Sequence, residues 1–153
     1  MDAAPVFQFK ICFMKIASFN INGIKARGPA LVSWLKETNP DVALLQEIKS
    51  VDEAFPKEIY EDLGYNVETH GQKSFNGVAI LSKYPLREIV RGLPGDESDE
   101  QARWIEATIC ASREIRVCCL YLPNGNPLPG PKYDYKLAWM DRLYLKAQEL
   151  LRS

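Results

Sequence analysis

Two short stretches carry residue types that could do chemistry together. They are "SFNIN", Ser18 to Asn22, and "LLQEIKS", Leu44 to Ser50. The first ends an apolar, strand-forming run in Asn20, Asn22 and Gly23; the second ends one in Gln46, Glu47 and Lys49. If the two runs are neighbouring parallel strands, their carboxyl ends open into one crevice, the place where α/β sheets bind ligands. Asn20, Asn22, Gln46, Glu47 and Lys49 then surround one site. A carboxylate at the tip of so apolar a run is costly unless it is paired or binds a cation. Mg²⁺ fits Glu47, being a hard ion that prefers oxygen and keeps waters for a phosphate to replace. Asn20 is then aimed at that phosphate. From spacing alone, a turn amide beside a Glu47–Lys49 surface pair fits the same residues.

The elements that must position these groups follow from periodicity. Lys15–Phe19 reads as a first strand. "GPALVSWLKETN" predicts an amphipathic helix with Pro29 early and Leu31, Trp34 and Leu35 on one face. "DVALLQE" predicts a strand buried on both faces and parallel to the first. "FPKEIYEDLG" predicts a short helix opened by Pro56 and stopped at Gly64. The segments "YNVETH", "GVAILSK", "REIVRGL", "ARWIEATICA" and "EIRVCCLYL" then read as short strands. A long helix follows in "KYDYKLAWMDRLYLKAQELLRS", with Leu137, Met140, Tyr144, Ala147 and Leu151 as its expected buried stripe. The pattern is α/β, a mixed β-sheet with flanking helices.

Composition sets bounds on this picture. A chain of 153 residues is at most one domain, and 46% apolar with 25% charged residues is ordinary for a globular protein. A net charge of -1 excludes an all-over basic coat but not a local basic groove. Cys12, Cys110, Cys118 and Cys119 form no C-x-x-C pair and there is one histidine, which argues against zinc. They read as reduced core cysteines of a cytoplasmic protein, Cys118 and Cys119 pointing to opposite faces of one strand. The opening "MDAAPVFQFKICF" lacks the basic and apolar regions of a secretory signal, and no stretch reaches a membrane span of about 18 apolar residues. Residues 1–13 are expected to be an extension or an extra edge strand.

"KIASFNING", "PDVALLQEIK", "GYNVETHGQKSFNGVAILSK", "GLPGD", "QARWIEA" and "LYLPNGN" occur in that order. Together they resemble the N-terminal half of the exodeoxyribonuclease III and apurinic/apyrimidinic endonuclease family, within the endonuclease/exonuclease/phosphatase superfamily. The resemblance spans Met14 to Ser153. It implies half of a four-layer, DNase I-like α/β sandwich. It also implies Mg²⁺-dependent (alternatively Mn²⁺-dependent) phosphodiester hydrolysis on double-stranded DNA at abasic sites and 3′ ends. By resemblance, Glu47 is the metal-binding glutamate and Asn20 lines the metal and phosphate site, with Asn22 and Lys49 adjoining it. Tyr121 matches the tyrosine whose hydroxyl faces the scissile phosphate, and Arg103 an arginine that grips backbone phosphate. Read without the family, Tyr121 is a core residue and Arg103 a solvated strand residue. Lys73 and Phe75 lie in the loop that, in the family, enters the duplex, where an aromatic ring can wedge against bases. Lys25 and Arg27 are candidate backbone contacts. The sole histidine, His70, matches no catalytic position.

The family's D-x-N pair, further aspartate and terminal Asp-His pair have no counterpart among these residues. The chain therefore reads as one that stops before the D-x-N strand, and it is expected to have negligible nuclease activity by itself. The absent half is also expected to supply the second sheet, leaving an apolar face of "GVAIL" and "VCCLYL" open for association. The alternative reading is a non-catalytic nucleic-acid-binding or assembly module derived from the same fold.

Overall fold

The computed structural model describes residues 13–152. The expected extension over residues 1–13, with Cys12, lies outside the described residues except for Phe13. Strands β1 (Ile16–Asn20), β2 (Val42–Gln46), β3 (Asn66–His70) and β4 (Val78–Ser82) form a sheet in the order β1-β2-β4-β3. β1 runs parallel to β2, with Asn20 level with Gln46, and β4 is antiparallel to both of its neighbours. The helices α1 (Ile24–Thr38) and α2 (Lys57–Glu61) belong to this half. Strands β5 (Leu86–Arg91), β6 (Trp104–Cys110) and β7 (Glu114–Leu120) form a separate antiparallel sheet in chain order, followed by α3 (Pro131–Leu150).

Period-two alternation decides which side of each strand meets which layer. Ala43, Leu45, Ala79 and Leu81 face Leu31, Leu35 and Tyr60 of the helices. Their neighbours Val42, Val78 and Ile80 face Ile105, Ala107, Ile109, Val117 and Cys119 of the second sheet. On the far side of that sheet, Trp104 and Leu93 pack on Trp139 of α3. The layers are therefore helix, sheet, sheet and helix. The second sheet is built from this chain's own β5–β7, which corrects the expectation that it must come from elsewhere. The inner face of β2 and β4 is accordingly covered, with Val42, Val78 and Ile80 fully buried, and offers no surface for association. Composition hid this because a strand's sequence names its apolar face but not the sheet in which it pairs.

Two further expectations change in detail. α1 begins four residues ahead of Gly28, because the Gly23 and Ile24 amides are held by the Glu47 and Ile48 carbonyls (2.7 and 3.0 Å). Buried Ile24 anchors that first turn, and Pro29 lies inside the helix at the cost of one backbone donor. The end is as expected, Asn39 closing the helix in a left-handed conformation with its amide on Leu35.

α3 is turned to its other side. Leu137, Met140, Tyr144, Ala147 and Leu151 are exposed, while Trp139 and Lys146 are buried and Tyr135 and Leu143 are packed. Burying one large aromatic contributes about as much as the best single aliphatic, on the order of 2–3 kcal/mol. The inward face also carries charge that finds partners. Arg142 and Lys146 share the Trp139 face, and there they reach Asp99 (2.5 Å) and Glu106 (3.1 Å). A pattern of apolar positions alone does not see such partners.

Candidate active site

Three segments meet where β1 and β2 end. The Ile21 amide bonds the Gln46 carbonyl (3.1 Å), continuing the ladder one residue past the strands. From the other side, the Ile48 and Lys49 amides bond the Gly77 and Asn76 carbonyls (3.2 and 3.0 Å), so the 47–49 turn is threaded between two loops. Gly77 has φ +85°, and a Cβ there would lie 2.5 Å from Ile48 Cγ1. Only glycine lets the loop approach so closely. Asn22, Glu47, Lys49 and Asn76 all hold φ near +50°. Such values are uncommon outside glycine, and clusters of them mark sites where surrounding structure over-determines the backbone.

The side chains converge. Asn20 Nδ2 donates to Glu47 Oε1 (2.8 Å), and Asn20 Oδ1 accepts from the Asn22 amide (3.1 Å). Lys49 Nζ lies 3.0 Å from Glu47 Oε2 and donates to Asn22 Oδ1 (2.5 Å). The Tyr121 hydroxyl, brought across from the end of β7, lies near enough to the Glu47 carboxylate for each to shift the other's titration. Asn20's hydrogen bond holds the Glu47 carboxyl below its ordinary range; partial burial opposes this and the bonds from Lys49 and Tyr121 reinforce it. Tyr121 is pushed up, first by burial and then by the adjoining Glu47 charge, with Arg103 opposing. Glu47 is therefore ionised near neutrality and Tyr121 protonated, an acceptor facing a donor.

Arg103 stands behind Tyr121, its guanidinium 4.9 Å from the ring centre. Its Nε donates to Gln101 Oε1 (2.7 Å) and its Nη1 to the Tyr121 carbonyl (3.2 Å). Gln72 and Asn76 extend this network, Asn76 Nδ2 donating to Gln72 Oε1 (2.8 Å) and the Ala102 amide to the same oxygen (3.2 Å). Gln46, expected beside Glu47, instead turns its amide to Ser18 and to Cys119 Sγ between the sheets. Lys73 and Phe75 are exposed on the loop that Gly77 ties to the Glu47 turn. Lys25 and Arg27 are exposed on the first turns of α1, beside the same strand ends.

The oxygens present suit a hard divalent ion: one carboxylate and the amide oxygens of Asn20 and Asn22. Among the described residues no three of His, Cys, Asp and Glu gather into a metal-binding group, and the carboxylate at these strand ends is that of Glu47. Ions of the Mg²⁺ type are commonly held by one or two carboxylates with waters and phosphate completing the shell.

Comparison with known proteins follows the same lines. The family model described as "Endonuclease/Exonuclease/phosphatase family" matches residues 17–153. The chain belongs to that family. It is 52% identical over 141 residues to exodeoxyribonuclease III of Haemophilus influenzae, covering 92% of this chain and 52% of that protein. Among solved structures, it is similar to a Neisseria 3′ phosphatase bound to product DNA hairpin (TM-score 0.86, 33% identity, 92% of this chain and 53% of that one). It is also similar to an AP endonuclease from Archaeoglobus fulgidus (TM-score 0.83, 39% identity, 90% and 52%). The chain spans about half the length of the relatives it matches.

Within this family member, the residues that sequence reasoning missed are the amides Gln72, Asn76 and Gln101. Each lies in a stretch already singled out, "HGQKSFNG" or "QARW". Their role shows only when the two loops are brought together, the Gly77 amide bonding the Ala102 carbonyl (2.9 Å).

Proposed function

We propose that residues 14–153 are the metal- and phosphate-holding N-terminal half of an exodeoxyribonuclease III-type nuclease, acting on double-stranded DNA at abasic sites and 3′ ends. The observation that carries this reading is the convergence of Asn20, Glu47, Lys49 and Tyr121 from three chain segments onto one exposed strand end. Glu47 and Asn20 would hold Mg²⁺, with Mn²⁺ as the alternative; such an ion neutralises charge developing on a phosphate under attack. Tyr121 presents a phenolic proton to a non-bridging phosphate oxygen without adding a full charge. Asn22 and Lys49 adjoin the site, Lys49 pairing with Glu47 and donating to Asn22. Arg103, Lys25, Arg27 and Lys73 line the approach with positive charge for flanking phosphates. Phe75, exposed at the loop tip, is the residue set to press against bases. The carboxylate beside Tyr121 is that of Glu47, which this reading commits to the metal, so binding without turnover is expected of this chain alone.

Among the described residues no helix is long and apolar enough to cross a membrane, and Cys110, Cys118 and Cys119 are free thiols. The free thiols support action on DNA in a reducing compartment, the cytoplasm. The test is fluorescence anisotropy with a duplex carrying an abasic-site analogue, with Mg²⁺ and with chelator, alongside a cleavage assay. The expected result is Mg²⁺-strengthened binding that Glu47→Gln weakens at least tenfold, with no cleavage above background. Binding indifferent to both Mg²⁺ and Glu47→Gln would overturn the metal-site reading. Turnover comparable to a full-length relative would overturn the view that the chain carries half of the machinery.

A further inference from the structure

Lys49 occupies an unusual place for a site that is to hold a cation. Glu47 Oε1 is already taken by the Asn20 amide, which leaves Glu47 Oε2 and, as a second acceptor, Asn22 Oδ1. Lys49 Nζ sits between those two, 3.0 Å from Glu47 Oε2 and 2.5 Å from Asn22 Oδ1. A hard cation bound at Glu47 would compete for the same carboxylate oxygen. The arrangement is not the accident of a floppy side chain. Glu47 and Lys49 both hold left-handed backbone, φ +54° and +50°. The Lys49 amide is pinned to Asn76 (3.0 Å), so the ammonium is delivered back over the turn toward the carboxylate. Its side chain is about one-third exposed, which leaves it a path outward.

We propose that the Lys49 ammonium is a resident counter-cation at this site. A divalent ion must displace it from Glu47, and a phosphate group of the nucleic acid receives it once displaced. This deepens the nuclease reading and rests on it. Without phosphate, the ion competes with a tethered positive charge and binds weakly. With phosphate present, the released ammonium gains a new partner, so ion and phosphate bind cooperatively, each raising the affinity for the other by the same factor. The side chain thereby ties metal loading to the presence of substrate.

Mn²⁺ binding, read by electron paramagnetic resonance on the 153-residue chain with and without a short DNA duplex, tests this without any activity measurement. Lys49→Met should bind Mn²⁺ alone about tenfold more tightly than the unmodified chain, within the usual range of coupling between sites. It should also lose most of the tightening that duplex produces. Lys49→Arg, which retains the charge, should stay near the unmodified affinity, and Lys49→Gln repeats the neutral variant should Lys49→Met fold poorly by circular dichroism. Mn²⁺ affinity in both neutral variants equal to or below that of the unmodified chain would overturn the proposal. Glu47→Gln separates the two readings. If it abolishes Mn²⁺ binding while the neutral Lys49 variants do not tighten it, the metal site stands and the counter-cation role falls. If it changes nothing, both fall.

Discussion

Replacing Glu106 by alanine is the sharpest test of the packing between the second sheet and α3. Glu106 is 1% exposed and accepts from Arg116 (2.8 Å) and Lys146 (3.1 Å). Removing one member of a buried ion pair typically costs about 3–5 kcal/mol, because the partner is left buried and uncompensated. Here each cation keeps a second acceptor. Lys146 still has Glu149 (3.1 Å) and Arg116 still has Glu88 (3.4 Å), but both of those carboxylates are largely exposed and weakly binding. The expected loss therefore sits at the low end, about 3 kcal/mol. That is a large share of a total stability of about 5–15 kcal/mol. Urea unfolding followed by tryptophan fluorescence reads it directly, since Trp104 and Trp139 are buried in the same core. The matched control is Glu114→Ala, which breaks the exposed Arg87–Glu114 pair and should cost about 0–1 kcal/mol. Removing both charges in Glu106→Leu with Lys146→Leu should recover more than half of the single-variant loss, as apolar replacement of buried pairs often does. A Glu106→Ala cost no larger than that of Glu114→Ala would refute the reasoning.

Two further outcomes follow from the site. Gly77→Ala places a methyl 2.5 Å from Ile48 Cγ1 at φ +85°, so it should destabilise the chain by about 1–3 kcal/mol and weaken Mn²⁺ binding; thermal melting with no shift would contradict this. The Glu47 carboxyl is held below its ordinary 4.5 chiefly by Asn20, so its stabilising contribution is present above that pH and lost as pH falls through the lower folded value. Asn20→Ala should raise the Glu47 midpoint in ¹³C NMR titration and move this loss to higher pH, and an unchanged midpoint would show that Asn20 does not set it.

The local parts of this protein were legible in its residues. Apolar runs and turn signals located the seven strands and three α-helices of the described residues, because each depends on neighbours within a few positions. The parallel alignment of β1 with β2 was legible too, since a fully apolar "VALL" demands burial on both faces. That alignment is what set Asn20 beside Glu47. The grouping of Tyr121, Arg103 and Phe75 with them came from motif resemblance and not from periodicity.

Tertiary structure alone decided the rest. Whether β5–β7 extend the first sheet or build a second depends on edge pairing, and period-two alternation is the same in either case. The inward face of α3 places Arg142 and Lys146 on Asp99 and Glu106, partners 43 and 40 positions away that no local pattern reveals. The left-handed turn at Glu47 and Lys49 is imposed by loops that close on it from both sides, so nothing in "QEIKS" itself signals it. Sequence fixes what short-range chemistry each residue offers; only the fold brings distant groups within reach of one another, and the energies that choose between alternatives fall off over a few ångströms.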